Sequence, residues 1–202
     1  MEKNIYKKVE NLVDNEYVKE RLVFYSSYLL CYENLKHKIM NDVINFFCIL
    51  NIKDGKVTIS ETKHWKEIKK RKINEKSNTF LSVMLWFVEN GAITMAEYDE
   101  IVKIRNDRNQ ISHELVKLLY EDSNKAIFEE NFIKCINIFT KIEKWWIFNI
   151  EMPTSTEKFD SDVTMDDVVP GNNILLDMIL QNLYGENEYK NILNKIKELD
   201  KF

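Results

Sequence analysis

Glycine and proline are scarce in this chain, whose 202 residues include only 4 Gly and 2 Pro. These residue types punctuate a fold, because they end helices and permit the tight turns that join short strands. A fold of many short strands needs such turns at short intervals, so their scarcity argues against a β-rich architecture. Since 45% of the residues are hydrophobic, a sizeable core can form, and long helices are the expected way to build it.

Apolar residues recur at three- and four-residue intervals in the first part of the chain, the spacing that places side chains on one helical face. The series is Val18, Leu22, Tyr25, Leu29, Tyr32, Leu35 and Ile39. It predicts one or two helices up to about residue 50, and Asp54-Gly55 then predicts a turn. Another long helix is expected to begin at Asn78, a favourable N-cap, and to stop at Gly91.

Two more long helices are predicted before the composition changes. Thr94 and the glutamate three residues later have the spacing of a capping box, in which each side chain hydrogen-bonds to the other residue's backbone N–H. The helix that they open is expected to continue to about Tyr120. Asp122 or Ser123 is expected to cap the next helix, which continues to about Asn149.

The segment 151–173 contains both prolines and an acidic run, so it is predicted to be a loop or linker. Helices are expected from 174 to 184 and from 188 to 199. The chain is therefore predicted to be all-α, with a bundle of four or five helices over residues 1–150 and a loop with a small helical extension over residues 151–202.

The formal net charge is −4, from 29 basic and 33 acidic residues. This is not the strongly basic balance of a dedicated nucleic-acid-binding domain, so contact with RNA would have to come from a local patch. Cys31, Cys48 and Cys135 stand singly in apolar stretches. Their odd number rules out a complete disulfide framework, and buried free thiols in a reducing cytosol are expected.

The N-terminal residues lack the apolar core of a signal peptide. No uninterrupted apolar run approaches the ~20 residues of a membrane-spanning helix. A cytoplasmic protein that makes no membrane contact is therefore expected.

The predicted helix from Glu97 to Tyr120 carries an arginine among its apolar residues. At ~100° per residue, one arc of the helix holds the positions of a core face. These positions are Ile101, Ile104, Ile111, Leu115, Leu118 and Leu119. Arg108 falls in the same arc. Because burying an unpaired guanidinium is costly, Arg108 must either be paired in the interior or face a crevice in which a second surface or a substrate supplies the anion.

A polar strip lies beside this face. Arg105, Asn109 and His113 follow one another at four-residue intervals, which aligns them along the helix. Arg108 and His113 are five residues apart, about 140° around the helix, so one helix directs them at neighbouring walls. Two copies of the helix, packed antiparallel about a twofold axis, would bring both pairs into a shared cleft.

The run from Ile104 to Glu114, with Arg108 and Asn109 followed by His113, resembles the signature of the HEPN superfamily. In that signature an arginine, often followed directly by asparagine, precedes a histidine by four to six residues. A late helix of an all-α bundle is also where the family carries it. The resemblance covers about residues 10–150.

The resemblance implies a metal-independent endoribonuclease that works as a homodimer, binds RNA between its two motif helices and needs no cofactor. His113 would act as general acid or base towards the ribose 2′-hydroxyl, a group that DNA lacks. Arg108 would bind the scissile phosphate and stabilise charge on its oxygens. Asn109 would orient His113 or bind the phosphate. Independently of the resemblance, we expect Arg105 to help guide the RNA backbone.

Proteins of this family usually act in toxin–antitoxin systems or phage defence, so an antitoxin or a regulatory protein is an expected partner. In some of these toxins a partner nucleotidyltransferase modifies a tyrosine two residues after the histidine. That position is Leu115 here, so neutralisation by this route is not expected.

Other interpretations of the same residues stay open. His113 is also compatible with an ordinary helix histidine. Arg108 is also compatible with a structural ion pair to Asp107, Glu114 or a distant carboxylate. The chain would then be a non-catalytic HEPN-like dimer that binds a protein or RNA without cutting it.

Other site types lack their motifs. Neither His37 nor His64 has neighbours at the spacing of a zinc site, and the acidic run 160–167 lacks the EF-hand pattern. No Walker motif, GxGxxG motif or nucleophile elbow occurs. The lysine-rich stretch 63–76 includes a candidate short surface helix, and a solvated helix face is preferred there over an RNA-binding patch.

Overall fold

The computed structural model describes residues 2–72, 78–120, 125–160 and 162–199. These residues are mostly helical, which confirms an all-α class, and they include one small two-stranded sheet that was not predicted. The elements in chain order are α1 (Glu2–Val13), α2 (Asn15–Phe47), β1 (Cys48–Lys53), β2 (Lys56–Glu61), α3 (Lys63–Lys69), α4 (Thr79–Glu89), α5 (Met95–Leu118), α6 (Lys125–Trp146), α7 (Met152–Thr154) and α8 (Gly171–Leu199).

The chain divides into two compact units. The first comprises Met1–Glu33, Glu100–Thr140 and Val169–Phe202, and the second comprises Asn34–Asp99 and Lys141–Val168. All four residues of the predicted site belong to the first unit, namely Arg105, Arg108, Asn109 and His113.

Aromatic side chains of α2 and α6 form much of the first unit's core. The ring centroids of Tyr28 and Phe132 lie 5.6 Å apart, and Tyr25 meets Phe128 edge-to-face at 6.0 Å, both favourable arrangements for aromatic pairs. The core residues from α5 are Ile101, Ile104, Ile111 and Leu118. Four of the six predicted core positions of that helix are thus buried, while Leu115 and Leu119 are half-buried.

In the second unit, β1 and β2 form an antiparallel hairpin. Asp54 and Gly55 make its turn, both with positive φ (50° and 72°), the conformation that two-residue hairpin turns require. The turn prediction is confirmed, but neither strand beside the turn was predicted. Strand β1 could not be predicted because its apolar residues directly follow α2, and a short apolar run is compatible with either a helix or a strand.

The predicted limits of α4 and the start of α5 are confirmed. The Asn78 side chain accepts a hydrogen bond from the Leu81 N–H at 3.1 Å, and Gly91 has a φ of +74°. The capping box is complete, since Glu97 N–H donates to Thr94 Oγ1 at 3.2 Å and Thr94 N–H donates to Glu97 Oε2 at 2.6 Å.

Later boundaries are close to those predicted. Regular helix α6 ends at Trp146 and continues as a π-helical turn over Ile147–Glu151. Helix α8 is interrupted at Gly185, where φ is 74° and ψ is 167°, so its two halves correspond to the two predicted C-terminal helices. The predicted caps Asp122 and Ser123 lie outside the described residues. In the part of the chain that the structure describes, no helix has both the length and the hydrophobicity needed to cross a membrane.

Candidate active site

Helix α5 carries all four residues singled out in the sequence. Its backbone leaves helical geometry at Glu114, where φ is −121° and ψ is 19°. This break follows His113 directly, so the four-residue spacing of Arg105, Asn109 and His113 lies in regular helix. We refer to these three residues together with Arg108 as the motif strip.

A buried hydrogen-bond network fixes the rotation of α5. Asp107 Oδ2 accepts hydrogen bonds from Asn131 Nδ2 at 2.6 Å and from Tyr28 OH at 3.3 Å. Both donors are buried, with Tyr28 fully inaccessible. Burial raises the pKa of Asp107, and its two hydrogen bonds partly oppose that shift. Burial also raises the pKa of Tyr28, so its phenol stays neutral and acts as the donor.

A buried arginine holds the C-terminal end of α5. Arg21 is only 3% exposed. Its Nη1 donates to the Leu118 carbonyl at 3.2 Å and to Tyr25 OH at 3.3 Å. A cation bound to one of the last carbonyls satisfies an orphan acceptor and opposes the negative end of the helix dipole.

Arg108 is half-buried and ion-paired with a carboxylate from α2. Its Nε donates to Glu33 Oε1 at 2.5 Å, and its Nη1 donates to Asn109 Oδ1 at 3.1 Å. The Arg108 and Glu33 side chains are 30% and 41% exposed. Among the residues that the structure describes, Arg108 Nη2 has no hydrogen-bond partner. Arg108 is therefore neither fully buried nor fully paired.

The two nearer carboxylates considered from sequence do not pair with Arg108. Asp107 binds the network described above. Glu114 accepts hydrogen bonds from Lys117 Nζ at 3.1 Å and from Gln110 Nε2 at 3.5 Å. The hydrogen bond from Lys117 lowers the pKa of Glu114.

His113 is exposed, and Arg105 is half-buried. Within the described ranges, neither side chain makes a hydrogen bond or an ion pair. Asn109 Oδ1 accepts a hydrogen bond from Arg108, and no hydrogen bond joins Asn109 to His113 among the residues that the structure describes. The donors of His113 and Arg105 thus stay available to a ligand.

Tyr32 lies close to the motif strip, with an exposed fraction of 1%. Burial raises its pKa, and the charges of Arg105 and Arg108 act in the opposite direction. Both guanidinium groups are therefore near enough to Tyr32 to influence it. Its place in the apolar series of α2 predicted a core residue, and it is one.

The sequence did not single out Glu33, Tyr28 or Asn131 as parts of this site. Asn131 gave the clearest signal, because it is a polar residue one position before Phe132 in an apolar helix stripe. A buried amide requires hydrogen-bond partners, and here the partner is Asp107. Glu33 gave no local signal, since its contact with Arg108 joins residues 75 positions apart.

In the described part of the chain, no group of three or more His, Cys, Asp or Glu side chains is arranged to hold a metal ion. Comparison of this chain with protein-family models, with curated proteins and with solved structures gives no match.

Proposed function

We propose that this chain is a HEPN-like, metal-independent endoribonuclease that acts as a homodimer. The observation that supports the proposal is the state of the motif strip. His113 is exposed without a protein partner in the described residues, one helical turn from Asn109. Arg108 keeps its Nη2 group unpartnered there. Arg105 makes no ion pair in the described residues, whereas Lys103 and Lys117 of the same helix pair with Glu100 and Glu114.

The proposed reaction is attack of a ribose 2′-oxygen on the adjacent phosphorus. The bond between phosphorus and the 5′-oxygen breaks, which leaves a 2′,3′-cyclic phosphate on one fragment and a 5′-hydroxyl on the other. One imidazole accepts the proton of the 2′-hydroxyl, and a protonated imidazole donates a proton to the leaving 5′-oxygen. Arg108 stabilises the charge that develops on the non-bridging oxygens.

The dimer is part of the proposal because a single α5 does not converge on one atom. Arg108 and His113 project about 140° apart around their helix. Two copies of α5 facing each other supply two imidazoles, one as base and one as acid, and two guanidinium groups for the phosphate. Arg105 then contacts the RNA backbone outside the reacting phosphate.

The proposed setting, toxin–antitoxin or phage-defence biology, and the proposed antitoxin or regulatory partner follow from the resemblance of the motif alone.

One observation favours a second candidate function. The ion pair between Arg108 and Glu33 is what a structural role for that arginine requires. In that case the chain is a non-catalytic HEPN-like dimer that binds RNA or a protein, and replacing His113 leaves its activity intact.

The test is cleavage of mixed cellular RNA by the purified chain in EDTA. The variants are His113→Ala and Arg108→Ala. Each has a matched control, His64→Ala for a second exposed helix histidine and Arg71→Ala for a second arginine paired with a glutamate.

We expect the wild type and both control variants to cut RNA. Each motif variant should be slower by at least about 10²-fold, the contribution of an acid–base group for His113 and of a donor that stabilises developing charge for Arg108. Equal cleavage by all five proteins would assign the activity to another site or a contaminant. No cleavage by the wild type, with RNA binding retained, would favour the non-catalytic candidate.

A further inference from the structure

Glu33 binds Arg108 at the place where a phosphate would bind. Carboxylates and phosphates are recognised by arginine in the same way, through N–H groups on one edge of the planar guanidinium. We propose that Glu33 is a resident carboxylate that an RNA phosphodiester displaces from Arg108, so that this ion pair sets how tightly the motif strip binds RNA. The inference rests on the proposed function, since it takes single-stranded RNA as the ligand.

The donors of Arg108 show the competition. Nε and Nη2 form one edge of the guanidinium, and a phosphate bound to that edge in a bidentate manner needs both N–H groups. Glu33 Oε1 already accepts from Nε at 2.5 Å, while Nη2 has no partner in the described residues. A phosphate can therefore use this edge fully only after Glu33 has moved away.

The exposure of the pair makes this exchange feasible. Glu33 is 41% exposed, so its carboxylate can be hydrated once it leaves Arg108. An ion pair that is exposed to this extent changes an equilibrium constant by about fivefold at most. Losing this ion pair costs little free energy compared with what several new phosphate contacts contribute. The cost is still large enough to be measured as a change in RNA affinity.

A second ion pair in the chain provides a matched control. Arg71 Nε donates to Glu89 Oε2 at 2.6 Å, and these side chains are 24% and 52% exposed. This pair belongs to the second unit, away in sequence from the motif strip. Glu89→Gln and Glu33→Gln therefore make the same change in net charge and break the same type of contact.

The experiment measures the dissociation constant of a labelled single-stranded RNA oligonucleotide by fluorescence anisotropy in EDTA. All proteins carry His113→Ala to prevent cleavage. The parent is compared with Glu33→Gln, with the charge-retaining Glu33→Asp and with Glu89→Gln. Glu33→Gln is also measured in the presence of Arg108→Ala.

We expect Glu33→Gln to bind the oligonucleotide about three- to fivefold more tightly than the parent. Glu33→Asp and Glu89→Gln should bind as the parent does. The gain in affinity should disappear when Arg108 is replaced, because a protein with Arg108→Ala has no ion pair for Glu33→Gln to break. The parent, the two single variants and the double variant form a double-mutant cycle that isolates this interaction.

Three results would overturn the inference. In the first, Glu33→Gln binds RNA no more tightly than Glu89→Gln does. In the second, the gain in affinity persists when Arg108 is replaced. In the third, none of the proteins binds RNA. The experiment measures binding and not cleavage, so failure of this inference can be distinguished from failure of the proposed ribonuclease function. A non-cutting RNA-binding module with a displaceable Glu33 would still show the gain.

Discussion

Asn131 donates a hydrogen bond of 2.6 Å to Asp107 and thereby ties α6 to the helix that carries the motif strip. The bond lies between a buried amide and a half-buried carboxylate. Low polarity around a hydrogen bond strengthens it and makes the loss of one partner costly. The orientation of the motif strip therefore depends on residues outside it.

We expect Asn131→Ala to lower the free energy of unfolding by about 1–3 kcal/mol, the usual cost of leaving a buried polar group without its partner. Urea unfolding followed by circular dichroism measures the change. Asn182→Ala is the control, because its exposed side chain hydrogen-bonds only to the carbonyl one turn earlier in α8. A change for Asn131→Ala no larger than for the control would show that the network does not stabilise the fold.

The raised pKa of Asp107 makes its contribution to stability dependent on pH. Because the folded state binds this proton more tightly than the unfolded state, the group contributes most below its ordinary pKa of 3.8. That contribution is lost as the pH rises through the higher pKa of the folded protein. We therefore expect the stability of the wild type, relative to Asp107→Asn, to fall across this window in urea unfolding experiments. A constant or rising difference would contradict the shift.

Arg21→Met tests the C-terminal anchor of α5. The substitution keeps much of the side-chain volume but removes the donor to the Leu118 carbonyl and to Tyr25 OH. Since hydrogen bonds from charged donors stabilise by about 1.5–3 kcal/mol, we expect a loss of that order in the free energy of unfolding. Arg71→Met, at a half-exposed site, should change it by less than about 0.5 kcal/mol. Equal effects would mean that Arg21 acts only through general packing.

The three thiols are expected to be unreactive in the folded protein. Cys31, Cys48 and Cys135 are free and buried, and burial raises the pKa of Cys31 to about 12. Because the thiolate is the reactive form, Ellman's reagent should label the native chain at least about 100-fold more slowly than the chain unfolded in urea. One rapidly labelled thiol in the native protein would show that a cysteine is accessible.

The helices follow directly from local sequence rules. Asn78, Gly91 and the capping box at Thr94 act through neighbouring residues, and the structure has each of them as predicted. The hairpin was missed because β1 continues an apolar run without a break in composition. Strand pairing depends on the partner strand, which periodicity in a single segment does not reveal.

In the candidate site, too, local sequence predicts some features, while others depend on tertiary contacts. Spacing along one helix predicts the alignment of Arg105, Asn109 and His113, and regular helix as far as His113 preserves it. The partner of Arg108 required tertiary structure, because Glu33 comes from another helix. The sequence indicated that Arg108 needs an anion, and the structure places Glu33 in that position.

Analysis of the product ends formed in EDTA tests the proposed ribonuclease activity of Arg108 and His113 most directly. An RNA oligonucleotide is incubated with the wild type, His113→Ala and His64→Ala, and the fragments are weighed by mass spectrometry. Fragments ending in a 2′,3′-cyclic phosphate, made by the wild type and His64→Ala but reduced at least about 10²-fold in His113→Ala, are the predicted result. Fragments with 5′-phosphates, or equal yields from all three proteins, would contradict it.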